Sequence, residues 1–384
     1  MKKLTTVLAV GAAALASQVA ADTQGVSDRE VVIGSVNDLS GIFAAVGVPA
    51  VNGANMRFDE VNAAGVVHGR QIRFVVEDNG YQIPRAMQGY NKLLNRDKAF
   101  AMLLSLGTPM NVAGFKLLDP KGMPNVGPLS AARQMLQEPM DNKFIGFSSY
   151  YDQVQVGAKY LAEEFEAKNL CTMYIPSDFG KEIAESTKDL AESMGLSMAG
   201  ETTHKPDELD FVGSLTKLKA AECDVITMAL GVRQGITVVG TAKKLGWTDV
   251  KFLNTSAGFL EPVAMVPSGV TDGLYAAAGW RDLYERAADP VPGKFIADYK
   301  AKFDQPASGF AMLGYSAADT VVRALEAAGP DLTHESFIAA METLDYTDEL
   351  TGSQTTYGPD DHRGADEVVI SVVENGGWKT VAVK

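Results

Sequence analysis

Glycines recur at six places in this 384-residue chain, most of them beside small hydroxyl-bearing residues, each where a β-branched run gives way to a helical one. In the first half they are Asp38-Leu39-Ser40-Gly41, Ser105-Leu106-Gly107-Thr108-Pro109 and Gly127-Pro128-Leu129-Ser130-Ala131. The second half offers Ser177-Asp178-Phe179-Gly180, Leu230-Gly231-Val232 and Thr255-Ser256-Ala257-Gly258-Phe259. Glycine lets the backbone approach a ligand, and hydroxyls with N–H groups at a helix start hold an anion. The same residue types also cap helices and form turns, so one such loop decides nothing. Six of them, all at the ends of strands, point to a cleft. Its candidate lining is Ser105, Gly107, Thr108, Leu129, Ser130 and Ala131 from one half, with Phe179, Gly231 and Ser256 from the other. Tyr150, Tyr151 and Asp152 stand at the junction of the halves, and Trp280 is placed either over the cleft mouth or in the core.

The residue patterns of catalysis are missing. His68, His204, His334 and His362 are far apart and in no ligand spacing, and neither H-E-x-x-H nor C-x-x-C occurs, so no metal is expected. There is no G-x-S-x-G elbow, no phosphate-binding G-x-x-x-x-G-K-[ST], and no G-x-G-x-x-G after the first strand, so no cofactor is expected. Asp360, Asp361, Asp366 and Glu367 do not have the spacing of a calcium loop and read as a solvated turn. A binding protein without catalysis is the expectation, with an unfamiliar enzyme as a distant alternative.

Short β-branched runs alternate with amphipathic helical runs, the signature of an α/β fold. Strands are expected from Val31, Gln71, Phe100, Pro124 and Phe144, and again from Cys171, Ser197, Asp224, Lys251 and Gly273. Helices are expected at 50–62, 83–94, 112–118, 152–168, 181–194, 211–220, 235–245, 292–303, 311–327 and 334–342. A terminal pair, Glu367–Val372 with Lys379–Val383, turns at Asn375-Gly376-Gly377. Two successive series imply two lobes, each a doubly wound parallel sheet, with a direct crossing near Ser148–Tyr151 and a tail shared between them. The expected division is 22–149 with about 278–362 in the first lobe, and 150–277 with about 363–384 in the second. Lys2, Lys3, the apolar run to Ala16 and the small residues Val19-Ala20-Ala21 read as a cleaved leader over 1–21, hence export to the periplasm. The net charge of −14 argues against nucleic acid and anionic membranes as partners. Cys171 and Cys223 start second-lobe strands. If the strand between them winds outward, the two become neighbours within reach of a disulfide, and two buried thiols are the alternative.

Several stretches together resemble one family. Ile33-Gly34-Ser35 to Leu39-Ser40-Gly41, Gly53-Ala54-Asn55 to Gly69-Arg70, and Glu77-Asp78-Asn79-Gly80 followed by Pro84 resemble the opening of type I periplasmic binding proteins. Leu106-Gly107-Thr108 and Ser177-Asp178-Phe179-Gly180 resemble their ligand loops. The likeness spans Val31 to Lys384 and is to the leucine/isoleucine/valine-binding branch, the solute receptors of ABC importers. It implies two doubly wound parallel-sheet lobes joined by a multi-crossing hinge. The implied task is capture of a small organic solute, an amino acid, amide or aromatic or organic acid, for an inner-membrane permease and its ATPase, by a monomer. A sensor module serving a receptor kinase or chemoreceptor is the alternative. The resemblance places the carboxylate-holding hydroxyls at Thr108 and Ser130 and a ring at Phe179. It puts Gly231 where the branch has tyrosine, and Ser256 where the branch has the acid that grips an α-ammonium.

Overall fold

The computed structural model describes residues 23–65 and 67–384. The expected leader over 1–21 lies outside these residues. The first sheet contains β1 (Glu30–Asn37), β2 (Gln71–Asp78), β3 (Ala101–Leu103), β4 (Asn125–Val126) and β5 (Lys143–Phe144), in the order β2-β1-β3-β4-β5. Every neighbouring pair in it is parallel. From Val31 onward β1 is buried throughout, as a strand covered on both faces must be. Its connections are α1 (Ala44–Ala64), α2 (Ile83–Asn95) and α3 (Thr108–Leu118).

The chain then crosses into α4 (Tyr150–Glu164), β6 (Asn169–Tyr174), α5 (Asp178–Met194), β7 (Ser197–Thr203) and α6 (Val212–Ala220). It continues through β8 (Val225–Ala229), α7 (Val232–Lys244), β9 (Lys251–Thr255), α8 (Glu261–Ala264) and β10 (Tyr275–Ala278). The last third holds α9 (Pro290–Phe303), α10 (Gly309–Ala328), α11 (His334–Met341), the hairpin β11 (Asp345–Asp348) with β12 (Ser353–Thr356), and β13 (Val369–Glu374) with β14 (Gly377–Val383). The second sheet runs β14-β13-β10-β9-β8-β6-β7, antiparallel only where β13 meets β10 and β14. Helix α10 returns to the first lobe and packs along α1. The approach is close. A Cβ on Gly53 would sit 2.0 Å from the Ala311 carbonyl oxygen, and one on Gly314 would sit 1.9 Å from that of Ala50.

Three segments cross side by side between the lobes. Ile145 N–H donates to the His362 carbonyl (2.9 Å), Gly364 N–H donates to the Ile145 carbonyl (2.8 Å), and Ser148 Oγ donates to the Glu367 carbonyl (3.1 Å). The Phe147 ring meets Trp280 edge-on at 5.0 Å, adding the segment after β10. Strand β7 lies outside β6 and β8 inside it, and Cys171 is joined to Cys223 by a disulfide with Cα atoms 5.8 Å apart.

Some boundaries differ from expectation. Helix α1 begins at Ala44, not Ala50, and carries Pro49 inside it. Helix α3 begins at Thr108, not Val112, because proline in a first turn costs no hydrogen bond, and Pro109 occupies that turn. The β11–β12 hairpin was not expected. Its residues are polar and partly exposed, with no apolar run to mark them. The acidic turn near Asp360 is tied by Arg363, which bridges Asp152 (2.9 Å) and Asp366 (3.3 Å). Among the described residues no acidic, histidine or cysteine cluster is arranged to hold a metal ion, and no helix is long and apolar enough to cross a membrane.

Candidate functional site

In each sheet the strand order reverses once, between β1 and β3 and between β6 and β8. Ligands of open α/β sheets bind beyond the carboxyl ends of the strands at such a point. The two points face each other here across a cavity of ≈ 430 Å³.

Buried polar side chains fix its walls. The Asp38 carboxylate accepts N–H groups of Ser40, Gly41 and Phe43, folding the loop after β1 so that Phe43 and Val46 face the cavity. Asn79 donates to the Leu106 carbonyl (3.0 Å) and accepts the Tyr81 N–H (2.7 Å), which places the Tyr81 ring. Asn111 donates to the carbonyls of Ser105 (2.8 Å) and Gly107 (3.0 Å), bracing the loop before α3. Gly107 has φ +102°, a region that only glycine adopts easily, and this turn brings Thr108 to the first position of the helix. Thr108 Oγ1 and Ser130 Oγ then lie 2.8 Å apart, both buried. On the opposite lobe Ser149 caps α4 by accepting the Asp152 N–H (3.1 Å), so Tyr150 enters the cavity from the first turn. Phe179 does the same from the first turn of α5. Ser256 is held by its own N–H, which donates to Gln153 Oε1 (2.9 Å).

Aromatic rings supply most of the remaining wall. Phe43 packs against Tyr81 (4.7 Å) and meets Phe179 of the other lobe edge-on at 6.0 Å, and Tyr150 meets Phe179 at 5.1 Å. At the hinge side Trp280 contacts Phe147 (5.0 Å) and Phe310 (5.7 Å). The Cβ position of Gly231 lies 3.6 Å from Ile42 across the lobes. The lobes are therefore closed on each other. Arg133 adds a polar contact across them: its N–H donates to the Glu182 carboxylate (3.0 Å), its guanidinium reaches Glu185 (3.0 Å) and lies 4.0 Å from the Tyr151 ring.

Among the described residues no Asp, Glu, Lys, Arg or His lines the cavity. The nearest acids are spoken for. Glu182, behind Tyr150, is pushed up to about 7 by burial, with the Arg133 N–H and guanidinium opposing. Glu261, behind Trp280, is pushed up to about 8 by burial and by Asp282, while its Oε1 accepts the Gly309 N–H at the start of α10 (2.6 Å). Burial raises the Tyr81 and Tyr150 phenols, so both stay neutral donors. The cavity thus offers hydroxyl donors at one end and rings elsewhere.

Of the sequence candidates, the structure gathers Gly107, Thr108, Leu129, Ser130, Tyr150, Phe179 and Ser256 on this cavity. Ser105 lies beneath it, its Oγ accepting the Val36 N–H (3.3 Å). Ala131 lends its carbonyl to the Tyr150 N–H (2.8 Å), and Tyr151 faces away, donating to Asp189 (2.8 Å). Gly231 caps α7 at the lobe contact, off the wall. Trp280 is a buried wall residue, not a lid over the mouth. Phe43, Val46, Tyr81, Phe147 and Phe310 were not among the candidates. Phe43 was signalled by the Asp38–Gly41 loop just before it, whereas Phe310 arrives from a remote segment with no local mark.

Comparison with known proteins places these features. A family model described as periplasmic binding protein matches residues 30–377. A Leu/Ile/Val-binding protein homolog from Brucella abortus is 22% identical, over 84% of this chain and 83% of its own length. A fatty acid ABC transporter substrate-binding protein from Thermomonospora curvata superposes with a TM-score of 0.84 at 24% identity, covering 94% of both chains. A branched chain amino acid ABC transporter protein from Thermus thermophilus, with bound valine, gives 0.82 at 19% identity over 92% of this chain and 96% of its own.

Proposed function

Because this chain belongs to the periplasmic binding protein family, we propose that its cleft captures a small organic carboxylate without an α-ammonium group and delivers it to an inner-membrane ABC permease with its ATPase. It is the solute-binding component of an ABC importer and works in the periplasm. Residues 1–21 serve as the cleaved export leader, and the mature chain acts as a monomer. Lobes 22–149 with 278–362, and 150–277 with 363–384, close as a clamp about the three crossings.

The ligand class rests on one observation: the Thr108–Ser130 hydroxyl pair sits at the start of α3 in a cavity that no charged side chain among the described residues lines. Hydroxyls and helix-start N–H groups suit a carboxylate. An ammonium buried there would have no carboxylate partner, a loss of several kcal/mol. The flanking rings favour a planar or apolar body. The neighbours named above bind unlike ligands in one fold, so the wall and not the fold sets the choice. Calorimetry with leucine against its des-amino analogue 4-methylpentanoate tests the assignment. The analogue is expected to bind as tightly as leucine or tighter, and a hundredfold preference for leucine would mean that an acid reaches the ammonium after all.

A further inference from the structure

A second pocket, ≈ 630 Å³ with its open mouth included, lies behind the cleft on the hinge side. Leu129, Phe147 and Trp280 line both spaces, so a single layer of side chains stands between them. One side of this chamber is apolar, from Leu104 and Val126. The other is built by α10 and the β11–β12 hairpin and carries hydroxyls. Tyr346 and Thr320 bond each other (2.7 Å), and the Asp348 carboxylate on the same wall accepts the N–H groups of Leu350 (2.9 Å) and Thr351 (3.2 Å). Ser316 is different. It is 8% exposed, its Oγ is shielded from solvent, and that atom has no hydrogen-bond partner. A buried hydroxyl left so is costly, and a ligand group bonded to it removes that cost.

We propose that the ligand is an elongated acid that occupies both spaces. Its carboxylate sits at Thr108 and Ser130, its apolar chain passes the Leu129–Phe147–Trp280 layer, and an uncharged hydroxyl or amide near its far end bonds Ser316. Among the described residues no lysine, arginine or histidine lines the chamber, so a second carboxylate would find no counter-charge there. The proposal rests on the carboxylate reading of the cleft. It adds length and a distal polar group to the ligand, and makes the three crossings part of the binding surface through Phe147, Trp280 and Tyr357.

The test is calorimetry on the mature chain with straight-chain acids from butanoate to dodecanoate, and with octanoate against 8-hydroxyoctanoate. Affinity is expected to climb roughly two- to fourfold per methylene through the mid-length acids, with the hydroxy acid about tenfold tighter than octanoate. Ser316→Ala should erase the hydroxy acid's advantage and leave octanoate unchanged. Ala317→Phe, which fills the chamber, should remove the gain with length yet leave butanoate within about twofold of its original affinity. Short acids binding while longer ones bind no better, or a length series unaltered by Ala317→Phe, overturns the second chamber and leaves the cleft reading standing. If no acid of any length binds, both fall. The length series on the unmodified chain decides the matter even if Ala317→Phe does not fold.

Discussion

The hydroxyls of Thr108 and Ser130 face each other at 2.8 Å, and each can turn its hydrogen toward a carboxylate. Thr108→Val and Ser130→Ala should therefore each weaken acid binding by about 10- to 100-fold, the worth of a hydrogen bond to a charged group. Without ligand each should also cost about 1–3 kcal/mol of stability, because the other hydroxyl is left buried without its partner, and calorimetry paired with thermal melts checks both parts. Glu261 makes a different prediction. Unfolded, its carboxyl titrates at the ordinary 4.5, while in the fold it is raised to about 8 by burial and by the facing Asp282. Between those values the folded chain holds the proton more tightly, so stability is fully present below about pH 4.5 and falls as pH climbs toward 8. Glu261→Gln keeps an oxygen for the Gly309 N–H and removes the titration. It should melt like the parent at pH 4.5 and higher than the parent at pH 8.5, a gain on the order of a few kcal/mol. Equal melting shifts at both pH values would count against the buried acid. Thr108, Ser130, Phe179 and Ser256 were legible in the sequence because each follows its strand directly, where chain order alone puts it at the sheet's end. Phe43 was legible only through the Asp38–Gly41 loop before it, and Tyr81 and Phe310 were not, since the direction of the first depends on its N–H bond to Asn79 and the second arrives on a helix from the far end of the chain.

Helices α1 and α10 meet through glycine. Gly314→Ala would drive a methyl into the Ala50 carbonyl, and the pair must separate or bend. A loss of about 1–3 kcal/mol or more is expected in denaturant unfolding. Gly213→Ala, in α6 with nothing near its Cβ position, should instead be neutral or stabilising by up to about 1 kcal/mol. Equal effects of the two would show that helix propensity, not the close approach, governs the first. The sequence marked Gly53 only as part of a family pattern, and Ala311, whose carbonyl it approaches from the far end of the chain, carried no sign of contact. Alternation of strand and helix was legible because both faces of each sheet are covered, which makes the strands short apolar runs. The β11–β12 hairpin escaped notice because pairing across a polar turn needs no apolar pattern, yet it builds one wall of the second chamber.

At the scale of the molecule, the Phe43–Phe179 contact and the Arg133–Glu182 bonds belong to the closed arrangement, and a ligand gripped by both lobes favours it in proportion to its better fit there. The route of the last third has a further effect. The five strands of the first sheet are complete by Phe144, but α1 stays uncovered until α10 is made, and the second sheet lacks β13 and β14 until the final residues. Neither lobe can finish its core before the last third of the chain is present, so folding waits for the carboxyl terminus and then involves both lobes together. Scanning calorimetry should show one endotherm and not two, with its calorimetric and van't Hoff enthalpies in agreement. A chain ended after Ala278 should yield neither lobe in a protease-resistant form. The shared tail thus works as a built-in delay: both lobes withhold their last pieces until the whole chain is to hand.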